Sequence, residues 1–135
     1  MIKFSRKIEY GILALQYIAL NPERVVSAKE ISERLGIPFE FLSKTLQQLM
    51  KKNLIISQQG LKGGYVLSKK AKDISLMDVI NALEGNASIV ECFILKNGLS
   101  CERLENCSIR NPMTKIQSKL TKVLNATTLE EVVNG

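Results

Sequence analysis

The stretch that decides the fold is Ser27–Lys52, which reads SAKEISERLGIPFEFLSKTLQQLMKK. Ser27 is followed three residues later by Glu30, and this capping-box pattern predicts that a helix begins at Ser27. Gly36 ends that helix, and Pro38 suits the first position of the next one. Two short helices joined by so tight a turn predict a helix-turn-helix motif.

The second helix of this motif has two faces of different character. Its inward side is predicted from the spacing of Phe41, Leu42, Thr45, Leu46 and Leu49. The opposite side carries polar and cationic residues, namely Glu40, Ser43, Lys44, Gln47, Gln48 and Lys51. Such side chains reach base edges and phosphates when a helix lies in the major groove of DNA. An ordinary solvated helix face has a similar composition, so the pattern alone leaves both interpretations open.

A β-hairpin is predicted directly after the helix-turn-helix. Residues 54–58 form its first strand, Gln59–Gly64 the turn and Tyr65–Ser68 the returning strand. This order of elements is that of a winged helix. Lys62 lies at the predicted tip, where it could contact phosphate or the minor groove, or serve only as a solubilising charge.

Helices are also predicted on both sides of this unit. The first runs from the cap Ser5 to about Leu20, and a short one lies between the capping residue Ser75 and Gly85. A long helix begins at Asn111, with Pro112 at its first helical position. Its apolar stripe resembles a coiled-coil seam and predicts a dimer interface; the residues are Ile109, Met113, Ile116, Leu120 and Val123. Packing onto the chain's own core is the alternative.

Composition narrows the classes of function. The 135 residues are 45% hydrophobic, which suits one globular domain with a small appendage, and they include no histidine. Residues 1–72 hold thirteen Lys/Arg against five Asp/Glu, a net charge of +8, whereas residues 73–135 hold six against eight, a net of −2. This asymmetry favours a nucleic-acid-binding front half. An enzyme is not expected, because there is no histidine base and no phosphate-cradling glycine motif. The sequence predicts a cytoplasmic protein without a membrane span.

Three cysteines fall within sixteen residues, at Cys92, Cys101 and Cys107. Thiolates are soft ligands that suit zinc or an iron–sulfur cluster, and the odd count argues against a disulfide framework. A fourth ligand would have to be another residue type, with oxygen candidates Glu9, Glu91, Glu102 and Glu105. A redox-active thiol pair and inert cysteines remain alternatives.

Nearly the whole chain resembles the IscR/NsrR-type winged-helix transcriptional regulators, the Rrf-type family. The resemblance rests on FSRKIEYGILAL at residues 4–15, on residues 27–55, on GLKGGYVLSKKAKDISLMDVINALEG at residues 60–85, and on the cysteine loop ending in CSIR. It implies a mainly α-helical fold with a small β-hairpin wing. It also implies a winged helix-turn-helix in residues 1–85, a cluster-binding loop in 86–108, and a dimerisation helix with a C-terminal tail in 109–135.

The resemblance implies a homodimer on a double-stranded DNA operator, with the helix from Pro38 in the major groove and the wing in the minor groove. Candidate DNA contacts are Ser27, Lys29, Phe39, Ser43, Lys44, Gln47, Gln48, Lys51, Gln59, Lys62 and Gly63. Candidate dimer contacts are Met113, Ile116, Leu120 and Val123. Gln59 stands where the family usually has an arginine, so minor-groove affinity is expected to be weaker or to shift to Lys62.

The resemblance further implies that the three cysteines hold a [2Fe-2S] or [4Fe-4S] cluster. Relatives take the fourth ligand from a histidine or from an acidic residue of the partner's first helix. Since this chain has no histidine, we expect Glu9 of the partner subunit to be that ligand. A surface salt bridge of Glu9 is the competing interpretation. The expected function is a regulator that senses redox state, nitric oxide or iron; the alternative is a cluster-free relative responding to a metabolite, thiol oxidation or a partner protein.

Overall fold

The computed structural model describes residues 3–59, 63–85 and 109–135. Its helices are α1 (Arg6–Ala19), α2 (Ala28–Leu35), α3 (Phe39–Lys51), α4 (Leu76–Glu84), α5 (Arg110–Ala126) and α6 (Leu129–Asn134). The strands β1 (Ile55–Gln58) and β2 (Gly64–Leu67) form an antiparallel hairpin, and a 3₁₀ turn covers Ala71–Asp73. The mainly helical fold with a hairpin wing is confirmed. The cysteine loop and Lys62 lie outside the described residues.

The helix-turn-helix is built by local signals. The Ser27 hydroxyl accepts a hydrogen bond from the Glu30 amide, which starts α2, and Gly36 ends it in the left-handed conformation with φ 68°. Pro38 is the residue that precedes α3 rather than its first helical residue, as its ψ of 128° shows. The expected helix start is therefore one residue too early.

The core lies between α1, α3, α4 and the hairpin. It consists mainly of fully buried aliphatic side chains, among them Leu15, Ile31, Leu42, Leu46, Leu49, Ile55 and Ile74. Thr45 is also buried, as predicted, and its hydroxyl donates to the Phe41 carbonyl. Phe41 itself is 39% exposed, so the prediction that it points into the core is wrong; its ring instead packs on Tyr10 of α1.

The wing is fastened to the helix-turn-helix by backbone bonds. The Val26 amide donates to the Tyr65 carbonyl at 3.1 Å, and the Tyr65 amide donates to the Val26 carbonyl at 2.7 Å. This bridge adds a third short extended segment beside β2. The residue that caps α2, Ser27, follows directly, so the wing and the helix-turn-helix have one fixed relative position.

The C-terminal region returns to the N-terminal unit. Leu129 of α6 is fully buried in the core, and its amide donates to the Ile74 carbonyl at 2.8 Å. The long helix α5 begins at Arg110, two residues before Pro112, because the Ile109 carbonyl already accepts from the Met113 amide. The prediction of Asn111 as its cap is therefore wrong. No helix in the described part of the chain combines the length and apolar character needed to cross a bilayer.

Candidate nucleic-acid interface

The outward face of α3 presents the polar side chains expected from its spacing. Lys44, Gln47 and Lys51 are exposed, and Ser43 and Gln48 are half-buried. Phe39 begins the helix and is 52% exposed. The buried face of the same helix packs on α1, α2 and α4, so the polar face is held outward by the core. These residues therefore form a rigid surface rich in hydrogen-bonding groups.

Residues from two neighbouring elements flank this surface. Ser27 caps α2, and Lys29 is exposed in the first turn of that helix. Gln59 and Gly63 are exposed on the two sides of the hairpin end, while Lys62 between them is not described. The bridge between Val26 and Tyr65 fixes the hairpin beside α2. The arrangement gives one helix suited to a major groove and one hairpin suited to an adjacent groove.

Two features of this surface were missed by sequence reasoning. Lys7 of α1 lines a groove of about 490 Å³ together with Lys44, Gln47, Gln48 and Lys51 of α3. The signal in the sequence is the group of basic residues around the start of α1, namely Lys3, Arg6 and Lys7. The Gln48 carboxamide oxygen is buried and has no hydrogen-bond donor within the described residues.

An ion pair between Arg24 and Glu30 stabilises the N-terminal turn of α2. Glu30 accepts hydrogen bonds from Arg24, at 2.7 Å from Nη1 to Oε1, and from the Tyr17 hydroxyl at 2.6 Å. The Arg24 guanidinium, and secondarily the Tyr17 hydroxyl, lowers the pKa of Glu30 to about 2. The same bond to Glu30 raises the pKa of Arg24. The Glu30 carboxylate thus joins α1 to α2 instead of completing the expected capping box.

Glu9 lies on the exposed side of α1, one residue before Tyr10. Within the described residues no side chain forms an ion pair or a hydrogen bond with the Glu9 carboxylate. The ion pair described above, between Arg24 and Glu30, does not involve Glu9. Cys92, Cys101 and Cys107 lie outside the described residues. Elsewhere in the described chain, no three acidic or cysteine side chains are close enough to hold a metal ion.

The candidate dimer contacts differ in their surroundings. Ile116 and Val123 are 46% and 60% exposed, respectively. Leu120 is half-buried against a small cluster that contains Ile8 and Leu124, and Met113 is half-buried as well. The outer part of the stripe is therefore an uncovered apolar surface, whereas Leu120 also packs on its own domain.

Comparison with known proteins agrees with this geometry. Residues 4–135 match the family described as Rrf2, iron-dependent transcriptional regulator. The HTH-type transcriptional regulator IscR of Pectobacterium atrosepticum is 31% identical, over 99% of this chain and 80% of its own length. CymR, the global cysteine regulator of B. subtilis, has a TM-score of 0.80 at 30% identity, with 99% and 98% coverage. IscR of T. potens has a TM-score of 0.78 at 29% identity, with 98% and 87% coverage.

These similarities extend over nearly the whole chain and join it to regulators rather than to enzymes. They confirm the family resemblance that was inferred from the wing, the helix-turn-helix and the opening helix. The chain therefore belongs to the Rrf2 family and is a DNA-binding transcriptional regulator of the winged-helix type.

Proposed function

We propose that the protein is a cytoplasmic, dimeric regulator whose affinity for a symmetric operator is controlled by an iron–sulfur cluster. The observation that carries the DNA-binding part is the outward face of α3, where Lys44, Gln47 and Lys51 are exposed on a helix fixed by a buried core. Amide side chains read base edges, and lysines neutralise phosphates. The chain would divide into a DNA-binding unit at 1–85, a sensor loop at 86–108 and a dimerisation region at 109–135.

In this proposal α3 lies in the major groove, and Ser43, Gln47 and Gln48 meet base edges. Ser27 and Lys29 of α2 contact the backbone beside it. The hairpin, with Gln59, Lys62 and Gly63, enters the adjacent minor groove. Its fixed attachment through Val26 supports a simultaneous fit of both elements, because little conformational freedom remains to be lost on binding.

A homodimer would bring two such units onto one operator. The exposed Ile116 and Val123 on α5 support it, since an apolar stripe on a long helix is stabilised by a second helix. Met113 and Leu120 would complete the contact. Two recognition helices then face half-sites whose separation depends on the geometry of the dimer.

The donor set suits a cluster. Cys92, Cys101 and Cys107 supply three thiolates, and Glu9 offers an exposed carboxylate that no described side chain engages. A [2Fe-2S] or [4Fe-4S] cluster would supply bonds that oxidation, nitrosylation or loss of iron breaks. Glu9 of one subunit would thereby tie α1 to the partner's cysteine loop. Release of that carboxylate would remove this restraint on α1, and the packing of Tyr10 on Phe41 would pass a movement of α1 to α3.

The test is to purify the protein anaerobically and to measure iron, sulfide and the visible spectrum. We expect stoichiometric iron and sulfide, together with visible absorption at about 400 nm from the thiolate-bound cluster. The iron, the sulfide and the visible absorption should each be lost in the variants Cys92→Ala, Cys101→Ala and Cys107→Ala. Glu9→Ala should weaken retention of the cluster. Glu23→Ala removes an exposed acid from the loop after α1 and is the matched control. Operator affinity is then compared between loaded and apo protein at one salt concentration; equal affinities would contradict cluster control.

A second candidate is a regulator of the same family without a cluster. It is favoured by the structural similarity to CymR, the global cysteine regulator of B. subtilis. The signal would then be a metabolite, thiol oxidation or a partner protein. Colourless protein without iron, whose operator affinity changes on oxidation of its thiols or on addition of a small molecule, would establish this candidate instead.

A further inference from the structure

A groove of about 490 Å³ lies between the first turns of α1 and the outward face of α3. Seven residues line it, namely Lys7, Phe41, Lys44, Thr45, Gln47, Gln48 and Lys51. Three of them are lysines and none is acidic. Cationic side chains around one concavity raise the local positive potential, which favours an anion as the occupant.

We propose that this groove binds a phosphodiester of the DNA backbone and that Lys7 is a DNA contact contributed by α1. The inference rests on the proposed role of α3 as the recognition helix. Lys44 and Lys51 line this groove and also lie on the outward face of α3. DNA bound by that face would therefore have its backbone beside the groove. A helix seated in the major groove has a phosphate strand on each side. Because α1 packs against α3 and brings Lys7 to the groove beside it, one of these strands would pass within reach of Lys7.

The surroundings of Lys7 favour such a contact. Its side chain is half-buried, so part of its aliphatic stem is already covered by protein. A covered stem has less rotational freedom to lose when the ammonium meets a phosphate. The packing of Tyr10 on Phe41 holds α1 and α3 at a fixed separation, and the groove therefore exists before DNA binds.

A phosphate contact makes a specific thermodynamic prediction for Lys7→Gln. Binding is measured by fluorescence anisotropy on the operator duplex and on an unrelated duplex, each over a range of salt concentrations. We expect affinity to fall by a similar factor, about 3- to 10-fold, on both duplexes, and the salt slope to drop by about 1. Lys115→Gln removes an equal charge from the exposed surface of α5, outside the groove, and should leave the slope unchanged.

Three outcomes would overturn the inference. The first is an unchanged salt slope in Lys7→Gln, and the second is a loss of affinity confined to the operator, because a phosphate contact is independent of sequence. The third is an equal loss in Lys7→Arg, which keeps the charge and should retain most of the affinity. If wild-type protein binds no duplex at all, the proposed function itself fails, and this result is distinct from the other three.

A second measurement needs no variant. Lysines of the wild-type protein are acetylated briefly with and without operator, and the sites are quantified by mass spectrometry. Lys7, Lys44 and Lys51 should be protected by the duplex and Lys115 should not. Protection of the two α3 lysines without protection of Lys7 would leave α3 as the recognition helix and refute the role of α1. Protection by single-stranded DNA or free nucleotide equal to that by duplex would also refute it.

Discussion

Tyr10 of α1 and Phe41 of α3 meet edge to face, with ring centroids 5.3 Å apart and an interplanar angle of 88°. This contact joins the helix that carries Glu9 to the helix that carries the candidate base-reading residues. Phe41 is 39% exposed, so the contact lies at the surface of the molecule and not in its core. It is therefore a connection that a small movement of α1 would transmit directly to α3.

A double-mutant cycle of Tyr10→Ala and Phe41→Ala measures this connection. The coupling in the free energy of unfolding should be about 0.5–1.5 kcal/mol, as for edge-to-face aromatic pairs. If the proposed switch is correct, Phe41→Ala should also narrow the difference in operator affinity between loaded and apo protein. Chemical denaturation gives the coupling, and additive single effects would show that the rings do not interact appreciably.

The strong local signals in the sequence were sufficient to predict most of the helices. Gly36 adopts its left-handed φ, and Ser75 forms a complete capping box with Asp78. Such signals depend on a few neighbouring residues, so the sequence contains all the information required. Helix boundaries without a side-chain cap were predicted less accurately. Neither α3 nor α5 has a side-chain hydrogen bond at its N-terminus, and the predicted first residue was wrong by one residue for α3 and by two for α5.

Contacts between distant parts of the chain were less predictable. Phe41 has the spacing of a core residue, but the position next to Tyr10 turns it outward. Glu30 has the spacing of a capping box, but Arg24 and Tyr17 compete for its carboxylate with charge-assisted and short bonds. Lys7 belongs to the nucleic-acid surface only because α1 packs beside α3. Each of these outcomes depends on tertiary packing that a linear pattern does not specify.

Gly64 of the wing is required for close backbone approach. A Cβ atom built on it would lie 2.4 Å from the Val26 carbonyl oxygen and 2.8 Å from the Ser27 nitrogen. Gly64→Ala should therefore break the bridge between Val26 and Tyr65 and cost about 1–3 kcal/mol, as overpacking of a rigid contact does. Gly36→Ala is the comparison, because it meets no atom within 4 Å and is strained only by its φ of 68°.

Thermal denaturation distinguishes the two glycine variants from wild type, and duplex binding shows the consequence for the wing. We expect Gly64→Ala to weaken DNA binding more than Gly36→Ala at equal stability, because it displaces the hairpin from α2. Full retention of binding by a folded Gly64→Ala protein would show that the attachment of the wing is unimportant.

The carboxylate of Glu30 makes stability depend on pH. Arg24 and Tyr17 lower its pKa to about 2 in the folded protein, whereas the ordinary value is 4.5. The native state therefore binds the proton more weakly than the unfolded chain, and stability from this group is present above about pH 4.5. This contribution to stability is lost as the pH falls from about 4.5 through the folded-state pKa of about 2. The difference in unfolding free energy between wild type and Glu30→Gln should be present at neutral pH and vanish near pH 2.

Urea titrations at several pH values test the contribution of Glu30. Glu33→Gln is the matched control, because Glu33 is an exposed acid on the same helix. A difference between wild type and Glu30→Gln that stays constant down to pH 2 would contradict the assignment.

Leu129 makes the C-terminal helix a part of the folded core. Its side chain is fully buried, and backbone bonds join its amide to Ile74 and the Leu76 amide to Thr127. Leu129→Ala should cost about 2–5 kcal/mol, since it leaves a cavity among packed aliphatic side chains. Leu20→Ala, at a site that is 60% exposed, should change stability by no more than about 0.5 kcal/mol. Equal denaturation midpoints for the two variants would mean that α6 does not pack as described.

The exposed apolar residues of α5 predict the state of assembly. Ile116 and Val123 are exposed in the single chain. The double variant Ile116→Glu/Val123→Glu should therefore fold normally but fail to form the proposed dimer, because a second helix would bury the new charges. Ser118→Glu adds a charge to an exposed position of the same helix outside the stripe and should stay dimeric. Light scattering after size exclusion measures the mass of each variant.

The monomeric double variant should also lose operator affinity, since two half-sites no longer bind to one linked pair of recognition helices. Dimeric behaviour of the double variant would refute this interface.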